Sequence, residues 1–305
     1  MSFSKNDTSV SVRRSELVCP AHSLKMMAKA AASVADEVIF DLEDGCAISQ
    51  KIAARKTLIE AFQTLDFAGK IRAFRANGIH TRFFYRDVIE VVEAAGANID
   101  VLVIPKVRDA ADVLLADRLL AQIEQNMNWP VGRIRLEALI ESAAGLMNVE
   151  AIASATPRLE SLLFGVVDYA GDIGIREPLR DQFALYQYPK ARIVAAARAA
   201  GIHVIDGVTT QVRDLELCEH DAREAARMGF DGKWAIHPDQ VEIINRAFTP
   251  TPEELARARE ILEAYDQAGE KSGAGVFVYK DEMIDAASLP IERKKLAIAK
   301  KCGLV

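Results

Sequence analysis

Ionisable residues in this 305-residue sequence gather at the ends of short apolar, β-branched runs. Asp41, Glu43 and Asp44 close VIFDLED (38–44), Arg75 and Asn77 close IRAFRAN (71–77), and Lys106 closes VLVIPK (101–106). Glu141 ends IRLEALIE (134–141) with Ser142 next to it, and Asp168 ends SLLFGVVD (161–168). Asp206 lies in HVIDG (203–207) and His237 in KWAIHP (233–238). Elsewhere, charged groups are expected to avoid these runs. Glu141 and Asp168 close consecutive runs, so on neighbouring strands their oxygens can converge. Hard carboxylate ligands completed by water and substrate suit Mg²⁺. The same pair can instead belong to an ion network with Arg75 or Lys106. Arg75 offers fixed, planar donors to a developing oxyanion, or a salt bridge to Glu43 or Asp44. Five histidines without an HxH or HExxH arrangement disfavour zinc, and His237, just before a proline, reads as structural. Lys25 and Lys29 share one helix face, where they could meet phosphates or simply face solvent. Cys19, Cys46, Cys218 and Cys302 show no CxxC spacing. No chemistry is assigned to them, and a reducing cytoplasm is the expected location.

These residues need elements to hold them. With SELVCP (15–20), the runs number eight, and Ala-, Leu- and Glu-rich stretches of helical period (108–125, 190–200 and 214–228 among them) alternate with them. Alternation of this kind predicts βα units around a parallel sheet. Eight units over this length fit an α/β fold of the (β/α)₈ TIM-barrel type, whose chemistry sits at the C-terminal ends of the strands. AAGIHVID and RMGFDGKWAI place glycine where a helix ends before the next strand, as a left-handed cap requires. No G-x-G-x-x-G follows the first run, which disfavours a dinucleotide-binding fold. The barrel is expected over 1–247 and an appendage over 248–305. There Thr251 and Pro252 open a helix to about residue 268. A Gly-rich stretch with a short β-like run and a final helix, 286–301, follow.

Half the residues are apolar and 27% are charged, an ordinary globular balance. A net charge of −6 disfavours a nucleic-acid partner. The polar N-terminus does not read as a signal peptide, and no apolar run is long enough to span a membrane.

Taken together, VIFDLEDGCA, FRANG, VIPKV, ALIESAAGLMNVEAIA, LLFGVVDYAGDIG, HVIDGV and GFDGKWAIHPDQVEIIN resemble the citrate lyase β-subunit-like group of the HpcH/HpaI aldolase/citrate lyase superfamily. RFFYRDVIEVVE and the tryptophan of GKWAIHP are similar to malyl-CoA and citramalyl-CoA lyases in particular. The resemblance runs from about residue 13 to 290. It implies a TIM barrel with a C-terminal helical lid, Mg²⁺ (with Mn²⁺ as the alternative) and a CoA thioester substrate. By matching positions it implies Glu141 and Asp168 as metal ligands, Arg75 as catalytic arginine, and Glu43 and Asp44 as holders of metal-bound water. It implies Arg14 and Lys29 as CoA contacts, and a lid aspartate at Asp285, or else Asp281, delivered to an adjacent subunit of a homotrimer or homohexamer. The implied reaction is reversible cleavage of (S)-malyl-CoA, β-methylmalyl-CoA or citramalyl-CoA to acetyl-CoA or propionyl-CoA plus glyoxylate or pyruvate. A malyl-CoA thioesterase, an aldolase acting on free hydroxy-oxo acids and a non-catalytic subunit are the rival readings. Three departures stand out. Pro20–Ala21 replaces the family's Pro–Gly, Ser23 replaces a basic residue, and Lys280, Asp281 and Glu282 stand where the family has Asp–Gly–Lys.

Overall fold

The apolar, β-branched runs form strands β1 (Ser15–Pro20), β2 (Glu37–Asp41), β3 (Ile71–Arg75), β4 (Val101–Ile104), β5 (Arg135–Ile140), β6 (Leu159–Phe164), β7 (His203–Asp206) and β8 (Gly232–Ala235). Each pairs in parallel with the next, and β8 pairs with β1, closing the eight-stranded barrel that the alternation predicts. The computed structural model describes residues 12–176, 182–272 and 276–304. Helices on the outside are started and stopped by their own side chains. Asp109 accepts the amides of Ala111 and Asp112 ahead of helix Ala110–Asn126, and Asp214 accepts that of Leu217 ahead of helix Leu215–Met228. Gly229 ends the latter at φ 99°, a left-handed conformation that costs an L side chain energy. No helix among the described residues is long and apolar enough to cross a membrane.

Strand alternation divides the side chains into two sets. Val38, Phe40, Leu102, Ile104, Ala138, Ile140, Leu162 and Phe164 pack outward against the helices. Ile39, Ala73, Val101, Val103, Leu139, Leu163, Ile205 and Trp234 fill the barrel interior. The inward set on β2 reads Glu37, Ile39, Asp41, and that on β5 reads Glu137, Leu139 and then Glu141. The barrel is therefore charged at both ends and apolar between.

The lower charged layer corrects the expectation that charges avoid the strands. Glu16 and Glu137 lie within the runs, Glu37 stands at the start of β2 just before its run, and all three are fully buried. They converge on Arg13, whose guanidinium lies 3.0 Å from Glu37 and contacts Glu137 and Glu160 directly. The sequence hides this layer because a single buried cation, from just before β1, brings together carboxylates far apart in the chain.

The chain divides into two compact units, Arg13–Phe248 and a second containing Thr249 onward. In the second, Thr251 and Glu254 exchange side-chain-to-amide hydrogen bonds and open helix Pro252–Ser272. Strands β9 (Val276–Tyr279) and β10 (Glu282–Asp285) form a hairpin, and helix Leu289–Lys301 follows. Lys280 and Asp281, both at positive φ, make its two-residue turn. Ile261, Ile284 and Leu289 form this unit's own small core.

Candidate active site

Continuing the inward parity of β2 and β3 brings Asp41, Glu43 and Arg75 to one rim. Arg75 is buried and held along one edge of its guanidinium by Asp41, Nε donating to Oδ1 and Nη2 to Oδ2 at 2.7 Å each. Its third nitrogen, Nη1, lies 2.9 Å from Glu43 Oε2, an ionic contact outside hydrogen-bond geometry. Of the two partners foreseen for Arg75, the structure supplies Glu43 but not Asp44, and it adds Asp41. Burial opposes the Arg75 charge, but Asp41, Glu43 and Glu141 outweigh it and keep the guanidinium protonated. The Trp234 ring lies 5.5 Å from the Arg75 guanidinium carbon and stacks against it.

Asp41 is the residue whose role the sequence did not disclose. Besides Arg75 it accepts the amides of Glu43 at 2.8 Å and Gly45 at 2.7 Å, so it fixes the loop that carries Glu43 and Asp44. Lys51 secures the same loop from the other side, donating to the carbonyls of Leu42 and Glu43. Burial pushes the Asp41 carboxyl upward, but the Arg75 charge and these hydrogen bonds prevail and lower its pKa. Asp41's place at the end of β2, in phase with Ile39, was the available signal.

Glu141 is 3% exposed and Lies against Gly165, where an added Cβ would come within 2.3 Å of Glu141 Cβ. It accepts the Lys106 amide at 2.6 Å. Burial raises its pKa well above the usual carboxylate range, and the nearby charges of Glu43 and Asp168 add to this against the pull of Arg75. Asp168 stands in the first turn of the short helix Val166–Asp172. Lys106 joins these groups. Its backbone is left-handed (φ 55°), and its ammonium lies 2.9 Å from Glu43, 3.4 Å from Asp44 and 3.4 Å from Asp168. The ion-network reading thus holds for Asp168 through Lys106. Glu43 is buried and Asp44 exposed, so the acidic pair is not two equivalent groups. A cleft of about 430 Å³ opens here, lined by Lys106, Arg108, Glu141, Ser142, Asp168 and Asp172.

The remaining barrel candidates are not among these groups. Arg14 precedes β1, at the end of the barrel opposite this rim, and its guanidinium and amide bond Asp36. It is therefore not brought to the cleft. Lys25 and Lys29 are exposed along helix Leu24–Ala31. Ala21 is buried and not in the left-handed region, so its side chain is accommodated without the backbone strain that a Gly-requiring turn would impose. Ser23 caps that helix instead of presenting a charge. Asn77 is spent on Asp87. Asp206 is buried between Lys190 and Lys233. His237 caps helix Pro238–Ala247 through Nδ1, as a structural residue would. Asp285 belongs to the C-terminal unit, where its Oδ1 accepts the amides of Ala287 and Ser288. In the segment 170–189, which the sequence offers as shaping the substrate pocket, Ile173 is exposed and Ile175 packs on the core, whereas Leu179 and the side chain of Phe183 lie outside the described residues.

The donor set fits a divalent ion. Five rim carboxylates, Asp41, Glu43, Asp44, Glu141 and Asp168, meet two cations, Arg75 and Lys106. The carboxylates are hard oxygen donors, the kind Mg²⁺ takes, and with Asp41 engaged in four hydrogen bonds it is Glu43, Asp44, Glu141 and Asp168 that can offer them.

Comparison with known proteins accords with this arrangement. The HpcH/HpaI aldolase/citrate lyase family model matches residues 14–238. An L-malyl-CoA/beta-methylmalyl-CoA lyase of Cereibacter sphaeroides is 40% identical over 291 residues, 90% of this chain and 91% of the relative. A (3S)-malyl-CoA thioesterase of the same species is 34% identical, covering 94% of each chain. Among solved structures, the protein CitE of Mycobacterium tuberculosis in complex with magnesium, acetoacetate and coenzyme A superposes with a TM-score of 0.76 at 30% identity. That match covers 94% of this chain and 97% of CitE. The barrel, its acidic rim and these similarities lead to one assignment: the chain is a lyase belonging to the HpcH/HpaI aldolase/citrate lyase family.

Proposed function

We propose that the chain is a Mg²⁺-dependent lyase that reversibly cleaves a 3-hydroxyacyl-CoA of the malyl-CoA type into acetyl-CoA or propionyl-CoA and a 2-oxo acid. The observation that carries this reading is the meeting of Glu141, Asp168 and a rigidly held Arg75 at one barrel rim. The similarity to a malyl-CoA lyase over nine-tenths of both chains supports the substrate class. Magnesium and coenzyme A in the complexed relative support the cofactor and the thioester.

Glu141 and Asp168 would hold the ion, with Glu43 and Asp44 beside them. When bound, the ion supplies positive charge next to the substrate's carboxylate and hydroxyl oxygens. In the cleavage direction the hydroxyl proton passes to the rim carboxylates, of which Asp44 is the exposed one. The carbon–carbon bond breaks, and its electron pair moves into the thioester, leaving an enolate. Arg75, already charged and fixed, faces no reorganisation in stabilising that enolate oxygen. Asp285, from the C-terminal segment of an adjacent copy acting as a lid, returns a proton to the enolate carbon. That role makes a homotrimer or homohexamer part of the proposal. In the hairpin that bears Asp285, Val278 and Met283 are well exposed, as apolar residues awaiting a covered state would be.

The test is a substrate panel. Purified protein with Mg²⁺ is offered acetyl-CoA or propionyl-CoA with glyoxylate or pyruvate, and products are identified by mass. Condensation products in at least one pairing, lost in Glu141→Ala and with excess chelator, are expected. Free CoA released from malyl-CoA without a matching acyl-CoA would instead make the chain a thioesterase like its 34%-identical relative. Full turnover in chelator would remove the metal from the proposal.

A further inference from the structure

We propose that Lys106 is a built-in competitor for the divalent ion, an ammonium that bridges the rim carboxylates while the metal is away and sets how tightly the metal is held. The inference rests on the reading of Glu141 and Asp168 as metal ligands and goes beyond it. Three observations carry it. First, the Lys106 ammonium lies among Glu43, Asp44 and Asp168, at 2.9, 3.4 and 3.4 Å, where it offsets charge a bound ion would also offset. Second, its backbone is held at φ 55°, an uncommon and costly conformation for lysine. The 2.6 Å hydrogen bond from its amide to Glu141 holds it there. One residue thereby touches both metal carboxylates, Glu141 through the main chain and Asp168 through the side chain. Third, the two rim cations differ in freedom. The Arg75 side chain is 9% exposed and locked by Asp41, whereas that of Lys106 is 41% exposed. Lys106 can swing into solvent as a divalent ion arrives, and Arg75 cannot. Binding is then an exchange of one cation for another, and the carboxylates are never left to repel one another.

A group that merely props up the site would weaken metal binding when removed, while a competitor would strengthen it. Mn²⁺ is the probe, its affinity read by calorimetry and by the electron paramagnetic resonance signal of the free ion. Lys106→Met keeps the side chain as far as the last methylene position and the backbone cost, and removes the charge. At these separations one unit charge changes ion affinity by about tenfold or more, so Lys106→Met should bind Mn²⁺ at least about tenfold more tightly than the parent. Lys106→Gly, which suits the left-handed backbone, should do the same, and Lys106→Arg should return affinity to near the parent value. Equal or weaker binding in both neutral variants overturns the proposal while leaving the metal site intact. Unchanged binding in a Glu141→Gln/Asp168→Asn double variant would show instead that the metal reading itself is wrong, and the proposal falls with it.

Discussion

Replacing Asp41 with asparagine tests whether the rim is organised around that one carboxylate. Asp41 accepts four hydrogen bonds, two from Arg75 and one each from the amides of Glu43 and Gly45, all between 2.7 and 2.8 Å. Asparagine offers one acceptor oxygen and an NH₂ group. Two of the four donors would therefore face a donor, and the buried guanidinium would lose its closest counter-charge. Hydrogen bonds to charged groups contribute about 1.5–3 kcal/mol each, and breaking a buried ion pair from one side costs about 3–5 kcal/mol. The two routes agree on a loss of about 3–5 kcal/mol. At about 2–4 °C per kcal/mol for a unit of this size, the melting temperature should fall by about 6–20 °C. Arg75 would keep Glu43 but lose its fixed orientation, so kcat should drop about a hundredfold, with a smaller change in KM. The pH dependence adds a check. The Asp41 pKa is lower in the folded protein than its ordinary 3.8, so its stabilisation is present above that value and lost only as pH falls through the folded pKa. The gap between parent and variant should therefore stay flat from about pH 5 to 8. Calorimetric melting and steady-state kinetics measure both effects. A variant melting within about 2 °C of the parent, with kcat within about threefold, would refute the reasoning.

Other perturbations follow from the same geometry. Gly165→Ala would drive a methyl into Glu141, so Mn²⁺ titration should show affinity reduced about tenfold or more, with the circular dichroism spectrum unchanged. Burial pushes Glu37 up from 4.5 to about 7, so the native state holds its proton more tightly than the unfolded chain. Its contribution is present below about 4.5 and fades as pH rises towards 7. Relative to the parent, Glu37→Gln should accordingly gain melting temperature between pH 5 and 8, and parallel curves would contradict the assignment. His237→Ala removes a helix cap at a cost of about 1 kcal/mol and should leave kcat unchanged. A large fall in kcat would place His237 in the chemistry after all.

The eight barrel strands were legible because each is a short apolar run bounded by turn or helix signals; all eight begin within two residues of those runs, although the runs overshoot the ends of β2, β6 and β8 by three or four residues and so place Asp168 at a strand end when it stands in a helix. The rim was legible for the same reason, since the residues closing the runs are those a barrel presents at its C-terminal mouth. Pairing was less so. Nothing in VIFDLED tells which of three acids Arg75 will choose; the choice is made by inward parity and by the turn that hands Asp41 two amides. Arg14 precedes its run, so the same rule puts it at the opposite end of the barrel, where it bonds Asp36; the resemblance, read position by position, does not weigh this. The left-handed Lys106 has no sequence signal at all, because the residue type alone would steer any reader away from that backbone. Glu16, Glu37 and Glu137 were passed over because a buried acid is read as improbable until its cation is seen.

Trp234 spans the space between the two charged layers. Its indole nitrogen donates to Glu16 at 2.6 Å, and its ring stacks beneath Arg75. The chain has two tryptophans, and the other, Trp129, pairs with Arg133 and lies close to Gly96. A change in charge at the mouth or at the floor of the barrel thus falls on a single chromophore. With Trp129 replaced by phenylalanine, the protein becomes its own optical gauge, in which ligand arrival above and proton uptake below shift one emission band without any added dye.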